Sequence, residues 1–357
     1  MKIVTIVGAR PQFIKASALS REIKNHSGIE EVIIHTGQHF DANMSDIFFK
    51  EMDIPAPKYQ LDIHSLSHGA MTGRMLEEIE KILVSEKPDC VLVYGDTNST
   101  LAGALAARKL NIRVAHVEAG LRSYNMAMPE EINRILTDRI SDILFCPTDT
   151  AIKNLKNEGF DHFNIKLVQS GDIMFDAALY YKSKADSEST IIDDLNLNSG
   201  EYVLATIHRQ ENTDQTNRLQ EIIEALNIIH HHRTVVVPIH PRTRKLIEQQ
   251  QIKVKFKMID PVGYLDMISL TSNAAIVMTD SGGLQKEAFF FGKYCITLRD
   301  QTEWIELVEG GFNTLVGADK NVILDAYHTN ASPKTSFNIQ LYGDGHAAGK
   351  IINSLIL

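Results

Sequence analysis

The chain has 357 residues, 44% apolar, 7% aromatic and 23% charged, and 36 Lys and Arg against 45 Asp and Glu leave a net charge of −9. This composition excludes a disordered, collagen-like or small disulfide-bonded protein and leaves room for one large domain or two ordinary ones. It also offers no basic tract for nucleic acid or an anionic membrane, so any bound anion must be held locally.

Cys90, Cys146 and Cys295 lie far apart, without CxxC or Cys/His ligand spacing, which points to a reducing cytoplasm and to no metal site. The apolar start Ile3-Val4-Thr5-Ile6-Val7 is cut short by Gly8-Ala9-Arg10-Pro11, so a secretory leader is not expected. No run approaches the roughly 18 apolar residues of a membrane-spanning helix. The triplet His230-His231-His232 sits beside a helical pattern and reads as a solvated helix end.

Taken in chain order, the apolar patterning predicts strands at 2–7, 32–35, 90–94, 113–117 and 143–146, alternating with helices at 11–25, 69–85, 99–110, 130–140 and 148–158. The second half repeats this grammar, with strands at 202–207, 234–239, 255–259, 275–279 and 294–298 and helices at 216–230, 262–270, 284–291 and 303–309. The polar stretch 181–200 lacks a strand and is expected to be a junction or surface loop, and 347–357 reads as a helix that packs back on the first domain. The fold class is therefore α/β, with two Rossmann-like, doubly wound domains facing a cleft: 1–170 with 346–357, and 171–345.

Ligands of open parallel sheets bind beyond the carboxyl ends of the strands. The polar residues found there are Arg10, Asp96, Glu118, His208, Arg209, His240 and the turn Asp280-Ser281-Gly282-Gly283. Gly8-Ala9-Arg10-Pro11, with Lys15 a turn further on, brings basic side chains and helix N–H groups together as an anion site. The two glycines of the later turn allow close backbone approach to phosphate oxygens, Glu287 can clasp a ribose diol, and Tyr264 offers a ring for a base. No GxGxxG follows a predicted strand and no GxxxxGK[ST] is present, which argues against nicotinamide, flavin and kinase-type ATP chemistry.

Asp96, Glu118 and Glu130 form a carboxylate group at one edge of the first sheet, with His208 facing them from the second. Neighbouring carboxylates push one another's pKa apart, so one can serve as acid and another as base. Each has a plainer role as well: Asp96 as a helix N-cap, Glu130 as a first-turn acid with Arg134 its i+4 partner, His208 as a strand-end histidine.

Six ordered segments, GARPQFIK from Gly8, GDTNS from Gly95, HVEAGLR from His116, PEEINR from Pro129, HRQEN from His208 and TDSGG from Thr279, make the chain resemble the UDP-N-acetylglucosamine 2-epimerase family over essentially its whole length. The resemblance implies the glycosyltransferase-B arrangement, usually a homodimer, and no cofactor. It implies Arg10 and Lys15 on the substrate's phosphates, with Asp96, Glu118, Glu130 and His208 as acid/base groups. Arg134 would hold the carboxylates, while Arg209, Ser281, Gly282, Gly283 and Glu287 bind the UDP-sugar, with Tyr264 near the uracil. The implied reaction is non-hydrolysing inversion at C2 through UDP elimination, a glycal and UDP re-addition, serving surface polysaccharide precursors.

Family members acting on plain UDP-N-acetylglucosamine commonly carry Thr-Arg-Pro-Glu where this chain has Ala9-Arg10-Pro11-Gln12. Gln38 and His39, with His240, resemble part of an allosteric substrate site, but Ser67-His68-Gly69 stands in place of an Arg-Gln pair, which argues against activation by substrate. The pattern looks more like the branch acting on modified sugars, such as a UDP-2,3-diacetamido uronic acid. Rival readings are a hydrolysing epimerase, a glycosyltransferase of the same architecture and a non-catalytic nucleotide-sugar sensor.

Overall fold

Apolar, mostly β-branched runs buried on both faces form the central strands of two sheets, in which every pairing among the described residues is parallel. The computed structural model describes residues 1–38, 54–330 and 336–356, with Arg10 described by its backbone alone. The first sheet holds β1 (Lys2–Val7), β2 (Glu30–His35), β3 (Tyr59–Gln60), β4 (Cys90–Tyr94), β5 (Arg113–Val117), β6 (Ile143–Cys146) and β7 (Lys166–Gln169) in the order β3-β2-β1-β4-β5-β6-β7. The second holds β8 (Tyr202–Thr206), β9 (Thr234–Pro238), β10 (Lys257–Ile259), β11 (Ile276–Thr279), β12 (Tyr294–Thr297) and β13 (Asn313–Leu315) in the order β10-β9-β8-β11-β12-β13.

The longer helices pack an apolar stripe against the sheets. On Thr216–His230, Leu219, Ile222, Ile223, Leu226 and Ile229 recur at the 3.6-residue period and share a core with Val203, Val235, Val237 and Ile276 from the strands. In the first unit, Met75, Ile79 and Leu83 of the helix His68–Glu86 join Val4, Ile6, Val32, Ile34, Val91 and Val93.

The chain divides into two units, Met1–Ala177 with Gln340–Leu357, and Ala178–Ile339. The expected limits at 170 and 345 differ from this division for a local reason. Asp172 N donates to Tyr342 O at 2.9 Å, and the Asp176 carboxylate accepts from Ala347 N at 3.1 Å and Ala348 N at 2.8 Å, tying 172–177 to the final segment. The helix so capped, Ala347–Ile356, buries Ile351, Ile352 and Leu355. The stretch 181–200, expected as a strandless junction or loop, begins inside the helix Ile173–Glu188 and contains the short helix Ile191–Asp194. Its polarity is that of an exposed helix face, with Lys182 and Asp186 paired at 2.6 Å, while Tyr181 is fully buried.

Candidate active site

In an open parallel sheet the crevice for a ligand opens where the strand order reverses, because helices there leave to opposite faces. That point lies between β1 and β4 in the first sheet and between β8 and β11 in the second. The register brings Ile3 level with Cys90 and Tyr94 level with Val117, so Gly8, Gly95 and Glu118 follow three adjacent strand ends.

Two charge pairs occupy the edge of the first sheet. Lys15 Nζ donates to Glu118 Oε1 at 2.5 Å, with side chains only 7% and 10% exposed. Beside it Arg134 donates to Asp96 Oδ2 and, at 2.5 Å, to Glu131 Oε2. Glu118 holds a left-handed backbone at φ 68°, and Gly95, at φ +63°, sits where a Cβ would meet Lys15 Nζ at 3.2 Å. A non-glycine residue held at positive φ is strain of the kind that accumulates at functional sites.

The support beneath these pairs is buried and ionic. His116, fully buried on β5, has Nδ1 2.7 Å from Asp138 Oδ1 and Nε2 2.7 Å from Gly95 O, so it holds the peptide that precedes Asp96. Asp138 also accepts from Arg122 at 2.7 Å and from Gly120 N at 3.1 Å. Burial would push its carboxyl up, but His116 and Arg122 hold it below the ordinary aspartate value. Glu131 is likewise buried and likewise held low, by Ser123 N, Tyr124 N and Arg134.

Glu130 stands exposed in the first turn of the helix Pro129–Ile140. It shares a face with Asn133 and Arg134, three and four residues on, and Asn133 Nδ2 donates to Asp96 O at 3.0 Å. The i+4 partnership expected of Glu130 and Arg134 gives way to Arg134's pairs with Glu131 and Asp96. Asp96 is not the N-cap of the helix Asn98–Lys109; Thr97 is, its hydroxyl accepting from Thr100 N at 3.2 Å.

The turn after β1 differs from its expected form. Gln12 Oε1 accepts from Gly8 N at 2.8 Å and Ala9 N at 3.1 Å, so those backbone groups do not face a ligand. Pro11 carries no N–H. The basic side chains the sequence supplies for an anion here are Arg10 and Lys15.

In the second unit the strand ends after β8 and β11 meet at Asp280. This fully buried carboxylate accepts from His208 N at 3.0 Å, Arg209 N at 3.0 Å and Asn212 Nδ2 at 3.2 Å, and His208 Nδ1 lies 3.0 Å from its other oxygen. Burial would raise its pKa, but the bond and charge of His208 and these N–H groups hold it below the ordinary value. Asp280 thus faces Nδ1 of His208, whose side chain is 48% exposed. Arg209 is the N-cap of the short helix Gln210–Thr213.

Ser281 caps the helix Gly282–Phe290, with Leu284 N donating to its hydroxyl at 3.4 Å. A Cβ on Gly282 would meet Glu303 Oε1 at 2.4 Å, whereas one on Gly283 would meet nothing within 4 Å. One turn along, Glu287 accepts from the Tyr264 hydroxyl at 3.2 Å, and the Tyr264 ring packs edge-on to Tyr181 at 5.5 Å.

Of the residues marked as allosteric candidates, Gln38 accepts from Ser99 N at 3.0 Å and Ser99 Oγ at 2.8 Å. His240 is the N-cap of the helix Pro241–Gln249, its Nδ1 accepting from Arg242 N at 3.2 Å. His39 lies outside the described residues. Among the described residues no cluster of His, Cys, Asp and Glu has the arrangement of a metal site, and no helix is long and apolar enough to cross a membrane. The sequence shows Glu131, His116 and Arg122 only as members of matched segments without a role, gives no sign of Asp138, and places Asp280 at a strand end without assigning it to His208.

A family model described as UDP-N-acetylglucosamine 2-epimerase matches residues 21–356. The chain is 57% identical over 356 residues to a UDP-2,3-diacetamido-2,3-dideoxy-D-glucuronate 2-epimerase of Pseudomonas aeruginosa, covering 99% of each. Its structure is similar to that of Methanocaldococcus jannaschii UDP-GlcNAc 2-epimerase in complex with UDP-GlcNAc and UDP, at TM-score 0.91 and 44% identity over 100% of this chain and 99% of that one. It is also similar to UDP-GlcNAc 2-epimerase from Neisseria meningitidis bound to UDP-GlcNAc, at TM-score 0.91 and 31% identity over 100% of both.

Proposed function

The chain belongs to the UDP-N-acetylglucosamine 2-epimerase family, and from that premise we propose that it inverts C2 of a UDP-2-acetamido sugar without hydrolysis, with a UDP-2,3-diacetamido uronic acid as its substrate. The observation that carries the reaction is the pair of carboxylates, Glu118 and Asp96, on adjacent strand ends, each held by a cation. The identity of 57% to the diacetamido-glucuronate enzyme, against 44% to the Methanocaldococcus UDP-GlcNAc enzyme, supports the choice of sugar.

In this reading a carboxylate of the Asp96, Glu118 and Glu130 group removes the weakly acidic C2 proton. Coupling that removal to loss of UDP makes the step feasible. Arg10 and Lys15 meet the charge developing on the diphosphate, the 281–283 turn and Glu287 hold the nucleotide, and Tyr264 lies near the uracil. His208, its tautomer set by Asp280, exchanges a proton during elimination or return. UDP re-adds to the glycal once the proton has returned to the other face. No cofactor enters. We place the reaction in the cytoplasm, feeding surface polysaccharide synthesis, in a homodimer whose second copy covers the exposed Ile132 and Leu136.

The test is incubation with UDP-2-acetamido sugars, the diacetamido uronate among them, in deuterated water, with C2 followed by NMR. Deuterium at C2 with the UDP linkage retained is the expected result. Free sugar and UDP as the main products would indicate the hydrolysing reaction, transfer to an acceptor without C2 exchange a glycosyltransferase, and binding without turnover a sensor.

A further inference from the structure

Gln12 is 1% exposed, yet its side chain makes five polar contacts, all with the two strand-end turns that flank the switch point of the first sheet and the first turn of the helix Asn98–Lys109. Its carbonyl accepts from Gly8 N and Ala9 N, in the turn leading to Arg10. Its amide nitrogen donates across the sheet to Tyr94 O at 2.8 Å, Thr97 Oγ1 at 3.0 Å and Thr100 Oγ1 at 2.9 Å, which bracket Gly95 and Asp96.

We infer that Gln12 is a positioning residue that yokes the substrate-anion turn after β1 to the acid/base turn after β4, so that Arg10 and Asp96 move as one body. The inference rests on the reading above, in which these two turns serve one reaction. In this chain the bonds made are those of an amide. Among side chains of this length only glutamine both accepts from the Gly8 and Ala9 N–H groups and donates to the Tyr94 carbonyl. A methionine fills the space but leaves the two N–H groups unmatched in a buried place. A glutamate keeps the bonds to Gly8 and Ala9 and turns a second oxygen on the Tyr94 carbonyl, unless it takes up a proton and donates as the amide does. Gly8 makes the coupling close: a Cβ there would lie 2.1 Å from Thr36 Oγ1 and 2.3 Å from Ser99 Oγ. A displacement of about 1 Å between groups that act together can cost about a hundredfold in rate.

The test compares Gln12→Met and Gln12→Glu with the wild type. With a UDP-sugar that turns over, Gln12→Met should lose about tenfold or more in kcat with KM within about twofold, and its melting curve should remain cooperative. Gln12→Glu should resemble Gln12→Met at pH 8 and recover toward wild type as pH falls and the buried carboxyl protonates. The other charged groups nearby, Arg10 and Lys15 on its own helix, Asp96 after β4, and His116 and Glu118 on and after β5, are common to both proteins, so the ratio of the two pH profiles isolates residue 12. Amide hydrogen exchange read on peptides spanning 93–101 should be faster in Gln12→Met, and in Gln12→Glu faster than wild type at pH 8 but not at pH 5.5. Wild-type kcat and exchange in Gln12→Met, or a Gln12→Glu deficit that ignores pH, would overturn the inference. A wild type that turns over no UDP-sugar would reject the proposed reaction, and the exchange comparison would still decide whether Gln12 joins the turns.

Discussion

The turns after β1 and after β11 are both glycine-bearing strand-to-helix connections at a switch point, and they are built in opposite ways. At the first, Gln12 takes the Gly8 and Ala9 N–H groups, and Gly8 lies against Thr36 and Ser99 so tightly that no Cβ fits. Two backbone N–H groups are taken, and the neighbouring strand ends carry largely buried charge on side chains: Lys15 with Glu118 and Arg134 with Asp96. At the second, the buried carboxylate of Asp280 takes the N–H groups of the neighbouring strand end, and Gly283 opens onto empty space at the head of a helix. Side chains whose protonation can change suit chemistry, while an open backbone beside a helix N-terminus suits an anionic group that is held but not altered. On the proposed reading the carboxylates of the first unit react, together with His208 of the second, and the turn after β11 binds.

That division breaks most visibly at the carboxylates. Glu118→Gln and Asp96→Asn should lower turnover by roughly 10² to 10⁴, the usual worth of a positioned acid or base, and leave UDP affinity within about twofold in calorimetry. If both variants lost UDP binding in proportion to turnover, the first unit would be a binding surface too. The supporting ions should show in stability. Asp138, Glu131 and Asp280 all have folded pKa values below those of the unfolded chain. They contribute stability that is complete above the unfolded carboxyl value near 4 and lost as pH falls through the lower folded value. Urea melts from pH 7 to pH 2 should show that loss, and Asp138→Asn, which takes the carboxylate from His116 and leaves Arg122 paired with Glu158 alone, should cost about 3 kcal/mol at pH 7 and flatten the acid limb.

Strand ends were legible because a run buried on both faces must be apolar, and the first polar residue after it marks the edge. That rule found Arg10, Asp96, Glu118, His208 and Asp280 from sequence. It passed over β3, β7 and β13, which are short strands at the sheet margins or, for β13, carry a polar Asn313-Thr314 start. Nor could it separate Glu130 from Glu131. Adjacent glutamates in one helical turn point about 100° apart, and only the position of Ser123, Tyr124 and Arg134 decides which is buried. Gln12 was visible as a departure from a family pattern, but its bonds to Tyr94, Thr97 and Thr100 span more than eighty residues and leave no local signal.

On the binding side the expected effects are smaller. Glu287→Ala removes the acceptor that holds the Tyr264 hydroxyl, and Ser281→Ala removes the cap that fixes the head of its helix. Each should weaken UDP by about fivefold, near 1 kcal/mol for a lost hydrogen bond or cap, with kcat at saturating sugar changed less than threefold or so. A larger effect on kcat than on affinity would add this turn to the reacting groups.

The mildest change is the sharpest probe of the open turn. Gly283 has nothing within 4 Å of a built Cβ and lies in the first turn of the helix Gly282–Phe290, without the positive φ that would strain another residue. In the folded protein Gly283→Ala should be neutral or stabilising by a few tenths of a kcal/mol, because alanine loses less entropy in a helix. The same methyl group would stand where a phosphate oxygen approaches the backbone, so UDP affinity should fall several-fold while the melting temperature holds or rises. Loss of affinity with gain of stability is a pairing that damage to the fold cannot produce. Unchanged affinity in Gly283→Ala would mean that the open space over Gly283 is solvent, and that the nucleotide is held by the side chains of Ser281 and Glu287 without it.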